Sequence, residues 1–371
     1  MRADRKKILW ALISLVLALL TIYAVISQSR SFSFAVLWKF IKRAHKGWLL
    51  GAVLCMLNFI WFEGIALVRI ADRLGYRRHI ANGFAYGGAD VYFSAITPSA
   101  TGGQPASAYF MIKDGMPVSA VTAALLINLV MYTLALLLLG ALDVCFCFPL
   151  FQRFSLISKL FIAGGEVILV ILAVFFYLLL RKQRLLHTLA DKFLHLLEKL
   201  HLVRRAESRR KKLEKISEEY SMCADLIFGK GSLLLEVFFW NLVQRISQLL
   251  VSFMIFMAMG QGVRRAFDIV KIQCFVAVGS NSVPVPGAIG AADLLMLDGL
   301  KMVVDKASVV NMELLCRGIS FYASVSVSLL IVIIAYVRRK LRDRRTAEGR
   351  EPEQERPGMT GQAAGKRKNK R

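Results

Sequence analysis

Residues 96–106, "ITPSATGGQPA", place two prolines and two adjacent glycines inside an otherwise apolar stretch. Proline has no backbone donor and clashes with the preceding helical turn, and glycine costs conformational entropy within a helix. A second interruption, "NSVPVPGAIG" at residues 281–290, breaks another apolar stretch in the same manner. Neither half of 83–113 or of 271–300 is long enough to cross a bilayer core of roughly 30 Å. Each stretch therefore predicts a re-entrant hairpin, two half-helices meeting at a loop at membrane depth.

The rest of the chain supports that setting. Its 371 residues are 56% hydrophobic, yet the formal net charge is +24. Apolar blocks of about 20 residues, the length that spans a bilayer, recur at 8–26, 48–68, 118–140, 155–180, 232–259 and 309–337. The first has a basic leader, "MRADRKK", but its apolar run is long and "ISQSRS" offers no small-residue cleavage site. It reads as a retained span. The expected fold is an all-α integral membrane protein, with about six full spans and two re-entrant broken-helix hairpins.

Charge sets the orientation. The basic runs "RKQR", "SRRKKLEK", "RRKLRDRR" and "GKRKNKR" lie between and after the spans, and lysine and arginine stay on the cytoplasmic side. With both termini cytoplasmic, "RIADRLGYRRH" (69–79) and the basic segment 181–230 fall inside. The first hairpin then enters from the cytoplasm and the second from outside. Paired broken segments of opposite orientation point to an inverted repeat with a midplane site, although the two loops do not align residue by residue. One loop disagrees with this path: 31–47 would lie outside despite Lys39, Lys42, Arg43 and Lys46. Its Phe32, Val36, Leu37, Phe40 and Ile41 predict an amphipathic helix in the interface, where basic side chains snorkel.

The domain reading is a membrane domain over 1–337, including a basic, helical, cytoplasmic 181–230, followed by a basic disordered tail over 338–371. Within 181–230, His187, His195 and His201 lie on or near an amphipathic helix and read as surface or packing residues. The six cysteines are scattered, so neither a metal site nor a disulfide framework follows. The basic runs attract anionic lipid; nucleic-acid binding would need an RNA-reading fold, which is not found.

Irregular backbone at membrane depth is tolerated only where it is buried in protein or lines a wet cavity. Gly102 and Gly103 would let the backbone approach a ligand, while half-helix N-termini aim N–H groups into the loop. Thr97, Ser99, Thr101 and Gln104 would add neutral donors, and an anion such as a lipid phosphate is the natural guest. Taken alone, each loop reads equally as a kink that permits close helix packing; the pair favours a site. Intramembrane charges are expensive and tend to be paired and functional. Arg317 and Glu313 are four apart on one helical face, and Arg245 is nine residues after Glu236 on a similar face. Asp90 precedes the first loop and Asp293 follows the second. Glu63, Asp143, Glu166 and Asp298 complete the set, several of them near predicted span ends. No nucleophile–base constellation, phosphate-binding P-loop or metalloprotease motif is found, and no cofactor is expected.

Thr97-Pro98, Gly102-Gly103-Gln104, then Pro284, Pro286-Gly287, Gly290 and Asp293, with Arg317 in the last span, resemble the lysylphosphatidylglycerol synthase transmembrane, or flippase-like, family. "PSATGG" replaces a more glycine-rich loop, alanine replaces a glycine in "PGAIG", and Asp293 stands where glutamate is common. In full-length members a cytoplasmic domain transfers an aminoacyl group from tRNA to phosphatidylglycerol, and the membrane part moves the product between leaflets. The resemblance implies a bacterial-type plasma-membrane protein, here a short form without the transferase domain. It would bind and translocate an anionic or aminoacylated phospholipid through Thr97, Pro98, Gly102, Gly103, Gln104, Pro284, Pro286, Gly287, Gly290, Asp293 and Arg317. Asp90, Arg245 and Glu313 are further charge candidates. Altered membrane charge and resistance to cationic peptides would follow. The resemblance leaves two other readings open, a phosphatidylglycerol lysyltransferase using lysyl-tRNA and an anchor for a separate synthase. A homodimer is also implied.

Overall fold

The computed structural model describes residues 34–181, 188, 220, 231–281 and 283–348. The protein is all-helical there, with no strand among the described residues. In chain order the elements are α1 (Phe34–Arg43), α2 (Lys46–Arg73), α3 (Asn82–Ile96), α4 (Gly103–Lys113), α5 (Val118–Phe146) and α6 (Phe148–Arg153). They continue with α7 (Leu156–Arg181), α8 (Gly231–Ala258), α9 (Val263–Asn281), α10 (Ala291–Leu300), α11 (Lys306–Arg317) and α12 (Ser324–Glu348). A 3-10 turn separates α3 from α4 at Pro98–Ala100, another precedes α10 at Pro286–Ala288, and a π-helical turn at Gly318–Ala323 joins α11 to α12.

Among the described residues, five stretches are long and apolar enough to cross a membrane: Lys46–Arg73, Val118–Phe146, Leu156–Leu180, Gly231–Ala258 and Val309–Asp343. They correspond to five of the six expected spans. The expected first span, 8–26, lies outside the described residues, as do His187, His195, His201 and nearly all of the basic segment 181–230. The amphipathic stretch after it forms α1, with Trp38 and Ile41 exposed and the Lys42 ammonium 5.4 Å from the Trp38 ring. The chain divides into two units, one through Val332 and one from Ile333 onward. In the second unit, α12 runs on to Glu348, well past the expected span end at residue 337. The part of 338–371 that is described is thus helical rather than a disordered tail, because "RRKLRDRRTAE" holds no glycine or proline to stop the helix.

Packing in the first unit fixes which helix ends lie together. At one end, the His45 amide donates to the Ala258 carbonyl at 2.9 Å, joining the start of α2 to the end of α8. At the same end, Asp298 near the close of α10 accepts from the Ser155 amide (2.8 Å) and the Ser158 hydroxyl (2.7 Å) at the start of α7. At the opposite end, Glu236 early in α8 pairs with Arg69 (3.3 Å) and Arg73 (3.7 Å) late in α2. There too the Tyr86 hydroxyl of α3 donates to Asp114, just beyond α4, at 2.8 Å.

The two broken stretches therefore enter from opposite ends. A helix of 15 residues such as α3 reaches only about 22 Å at 1.5 Å per residue, too little to cross. It lies against the late part of α2 through glycines. A Cβ on Gly64 would overlap the Gly83 backbone, and one on Gly87 would overlap the Ile60 carbonyl. Small residues of this kind let membrane helices approach closely. In the second hairpin α9 and α10 run antiparallel, with Gly299 against Ile272 and Gly279 against Leu295. Its first helix starts at Val263, earlier than the apolar stretch from 271, because its opening turns carry Arg264, Arg265, Asp268 and Lys271. The two 3-10 turns pack on each other, so the two interruptions meet.

Candidate functional site

Backbone groups at the first break find partners within the break itself. Thr97 Oγ1 donates to the Phe93 carbonyl (2.7 Å) and accepts from the Gly102 amide (2.8 Å). The Ala100 and Thr101 amides donate to the carbonyls of Thr97 and Pro98, both at 3.2 Å. Gln104 Nε2 donates to Asp90 at 3.3 Å. A Cβ on Gly103 would overlap Ser94 Oγ and crowd the Asp90 carboxylate and carbonyl; one on Gly102 would crowd the Thr97 side chain. The paired glycines thus close α4 onto α3. The carboxylate nearest the start of α4, where an anion was expected, belongs to Asp90.

Beside this break lies a buried polar cluster. Glu63 is 3% exposed, and its two carboxylate oxygens accept from Asn128 Nδ2 and Gln244 Nε2, each at 2.7 Å. Asn241 Nδ2 donates to Asn128 Oδ1 at 2.9 Å. Arg245 is 9% exposed, donates to Gln248 at 2.7 Å, and stacks with its guanidinium carbon 3.9 Å from the Tyr132 ring centroid. Its charge acts on Glu63, Asp90 and Tyr132. The Tyr132 hydroxyl donates in turn to Asn281, the last residue before the second break, at 2.9 Å. Glu236 does not partner Arg245; it pairs with Arg69 and Arg73 instead, because it sits two and a half helical turns away, on the opposite side of α8 at the end of the bundle.

The second break is organised around Arg317. Gly287 and Gly290 take φ of 61° and 88°, which relieves the backbone where the chain turns into α10. Asp293 caps α10 by accepting from the Gly290 amide at 2.9 Å, and it forms an ion pair with Arg317. Glu313 lies 3.9 Å from the same guanidinium, and the Gly287 carbonyl accepts from Arg317 Nη1 at 3.5 Å. The Phe321 ring, in the π-helical turn that follows, sits 5.3 Å from Arg317. Turns of this kind recur at functional sites. A cavity of about 140 Å³ opens here, lined by Gln248, Gln273, Ser280, Gly287, Arg317 and Phe321. Gln248 connects it to Arg245.

The structure brings most sequence candidates to the junction of the two breaks. Asp90, Arg245 and Gln104 gather at the first; Gly287, Gly290, Asp293, Glu313 and Arg317 gather at the second. Pro98 is exposed in the first turn, and Pro284 and Pro286 shape the second. Asp298 instead holds the start of α7. Neutral partners were missed: Asn128, Tyr132, Asn241, Gln244, Gln248 and Asn281. Their signal was available as uncharged polar residues within apolar helices, which membrane helices use to bind one another. Two backbone outliers also meet here. Among the described residues, Ala100 (φ 54°) and Ala288 (φ 50°) alone take positive φ without being glycine, one in each break. Such strain, costing about 1–2 kcal/mol each, persists only where the surroundings hold it.

Apolar helices long enough to span, with two further helical stretches interrupted and ionisable residues gathered where the interruptions meet, define a multi-pass membrane protein. Residues 9–346 match the family described as the lysylphosphatidylglycerol synthase TM region. The chain belongs to that family. No curated protein and no solved structure matches it.

Proposed function

We propose that this protein binds a charged phospholipid headgroup where the two breaks meet and moves the lipid between leaflets. The observation that carries the reading is Arg317, held between Asp293 and Glu313 on the wall of a cavity at the second break. A guanidinium offers a fork of donors suited to a phosphodiester. Two carboxylates around one arginine leave a formal excess of one negative charge, so the same place accepts a cationic group. An aminoacylated phospholipid, which carries phosphate and ammonium together, matches both.

The cavity of about 140 Å³ falls well below the roughly 300–1,000 Å³ of ligand-sized pockets. It admits one phosphate-sized or ammonium-sized group, so passage of a whole headgroup requires the hairpins to part. Hairpins entering from opposite ends would open to one leaflet and then the other, as an inverted repeat would permit. Export of a cationic lipid would reduce the negative surface charge that attracts cationic peptides.

The test uses the purified chain in proteoliposomes with fluorescent phosphatidylglycerol and its lysyl ester. Dithionite quenching reports which leaflet holds each lipid. The intact protein should equilibrate at least one lipid between leaflets, and Arg317→Ala should abolish this while the protein remains folded. Transport that is unchanged in Arg317→Ala sinks the reading.

A further inference from the structure

Where α5 ends and α9 begins, a groove of about 510 Å³ opens at the end of the bundle shared by the start of α2 and the end of α8. It shares no lining residue with the cavity at Arg317. Its polar wall carries Arg153, Arg265, Lys271 and Asp268; its apolar wall includes Phe146 and Leu150. Three cations thus face one carboxylate. Lys271 is compensated, 2.8 Å from Asp268 and within reach of the Asp143 charge. Arg265 donates only to the neutral Gln261, at 3.1 Å, and among the described residues neither Arg153 nor Arg265 has an ion-pair partner.

Topogenic charge does not single out these residues, because basic residues stand at both ends of the bundle: Arg69, Arg73, Arg77, Arg78 and Lys113 at one, and Lys42, Arg43, Lys46 and Arg264 at the end that carries the groove. Nor does internal packing, since Arg153 and Arg265 are exposed and Phe146 leaves 80% of its surface uncovered beside them. The groove lies where membrane-length α5 ends, ahead of the start of α7, the level at which a bilayer crossed by these helices would place its headgroups. Its volume falls within the range of ligand pockets.

We infer that this groove is a second lipid site, holding the phosphodiester of an anionic phospholipid from the leaflet at that end. Arg153 and Arg265 take the phosphate oxygens, and Phe146 and Leu150 lie along the upper acyl chain. Arginine fits this role better than lysine because its planar fork binds phosphate through two parallel hydrogen bonds. The inference stands apart from transport, since the lipid held here need not cross the membrane.

The experiment counts lipids that stay bound to the detergent-purified full chain in native mass spectrometry, on titration with phosphatidylglycerol, phosphatidylcholine or inorganic phosphate. The wild-type chain should retain phosphatidylglycerol in preference to phosphatidylcholine. The double variant R153Q/R265Q should bind phosphatidylglycerol about tenfold more weakly, a loss of about 1.4 kcal/mol. R153K/R265K should fall between the two, and R317Q should keep this lipid even if its transport is lost. Thermal unfolding checks that the variants fold. Equal phosphatidylglycerol binding by wild type and R153Q/R265Q overturns the inference, as does equal binding of phosphatidylcholine. Displacement of the lipid by inorganic phosphate at equal concentration would assign the groove to a free anion instead.

Discussion

The two breaks are built from the same parts and finished differently. Each has a 3-10 turn, an alanine at positive φ, and one arginine near two carboxylates. At the first break, Glu63, Asn128, Asn241 and Gln244 are at most 3% exposed and bond chiefly to one another. At the second, the Asp293 side chain is 29% exposed, and Arg317 lines a cavity. A buried polar group must be satisfied by protein, whereas one beside a cavity keeps some capacity to exchange partners. The cluster beside the first break is the more enclosed of the two, although Asn241 Oδ1, Gln244 Oε1 and Arg245 Nε have no hydrogen-bond partner within it; under the proposed function the second break would receive the ligand.

The strongest way to break that contrast is to remove one carboxylate from each side. Glu63→Ala should cost about 3–5 kcal/mol, because it strands two amide donors and leaves buried Arg245 with less counter-charge. Asp293→Ala should cost only about 1–2 kcal/mol, from the loss of a helix cap and of a partly exposed ion pair whose arginine keeps Glu313, yet should stop lipid movement. Detergent unfolding curves together with the leaflet assay compare the two directly; equal losses of stability would erase the distinction.

Steric tests come next. Gly64→Ala should destabilise by about 1–3 kcal/mol, since its new methyl meets the Gly83 backbone rather than a side chain that could swing aside. Gly103→Val should fall in the same range or above and should lower the yield of folded protein on size-exclusion chromatography. At the second break, Arg317→Lys should leave stability nearly unchanged while lowering the transport rate about tenfold, because lysine keeps the charge but not the fork. The smallest effects belong to Ala100→Gly and Ala288→Gly. Each should raise the unfolding free energy by no more than about 1 kcal/mol, relief of a left-handed alanine being partly offset by a freer unfolded chain. A gain at only one of them would show that the breaks do not share their strain.

Much of the fold was legible from residues alone. Five of the expected spans appear close to their expected limits, because crossing a bilayer imposes a length of apolar chain that any window reveals. Both interruptions fall where proline and glycine gather. The start of α9 was misjudged, since Arg264, Arg265, Asp268 and Lys271 hide a helix from an apolar criterion while leaving its backbone content. Arg317 and Glu313 were paired correctly from their four-residue spacing, a relation internal to one helix. Arg245 and Glu236 were expected on a similar face, but nine residues make two and a half turns and set them on opposite sides of α8, and α2 supplies Glu236 with nearer arginines.

The amino-acid sequence by itself determined that this chain lives in a membrane, that two of its helices break, and which charges had to find partners there. Each of these follows from local chemistry: apolar length, the missing donor of proline, and the cost of an unpaired charge in hydrocarbon. Tertiary structure decided who the partners are. Glu63 lies on α2, Asn128 on α5 and Gln244 on α8, and their carboxylate and amides become one cluster only when those helices pack. The same packing filled the space beside Gly103 with Ser94 and Asp90 and left the space beside Arg317 open. A glycine and an arginine look alike as candidates along a chain; which of them borders a cavity depends on side chains contributed from residues far away in sequence.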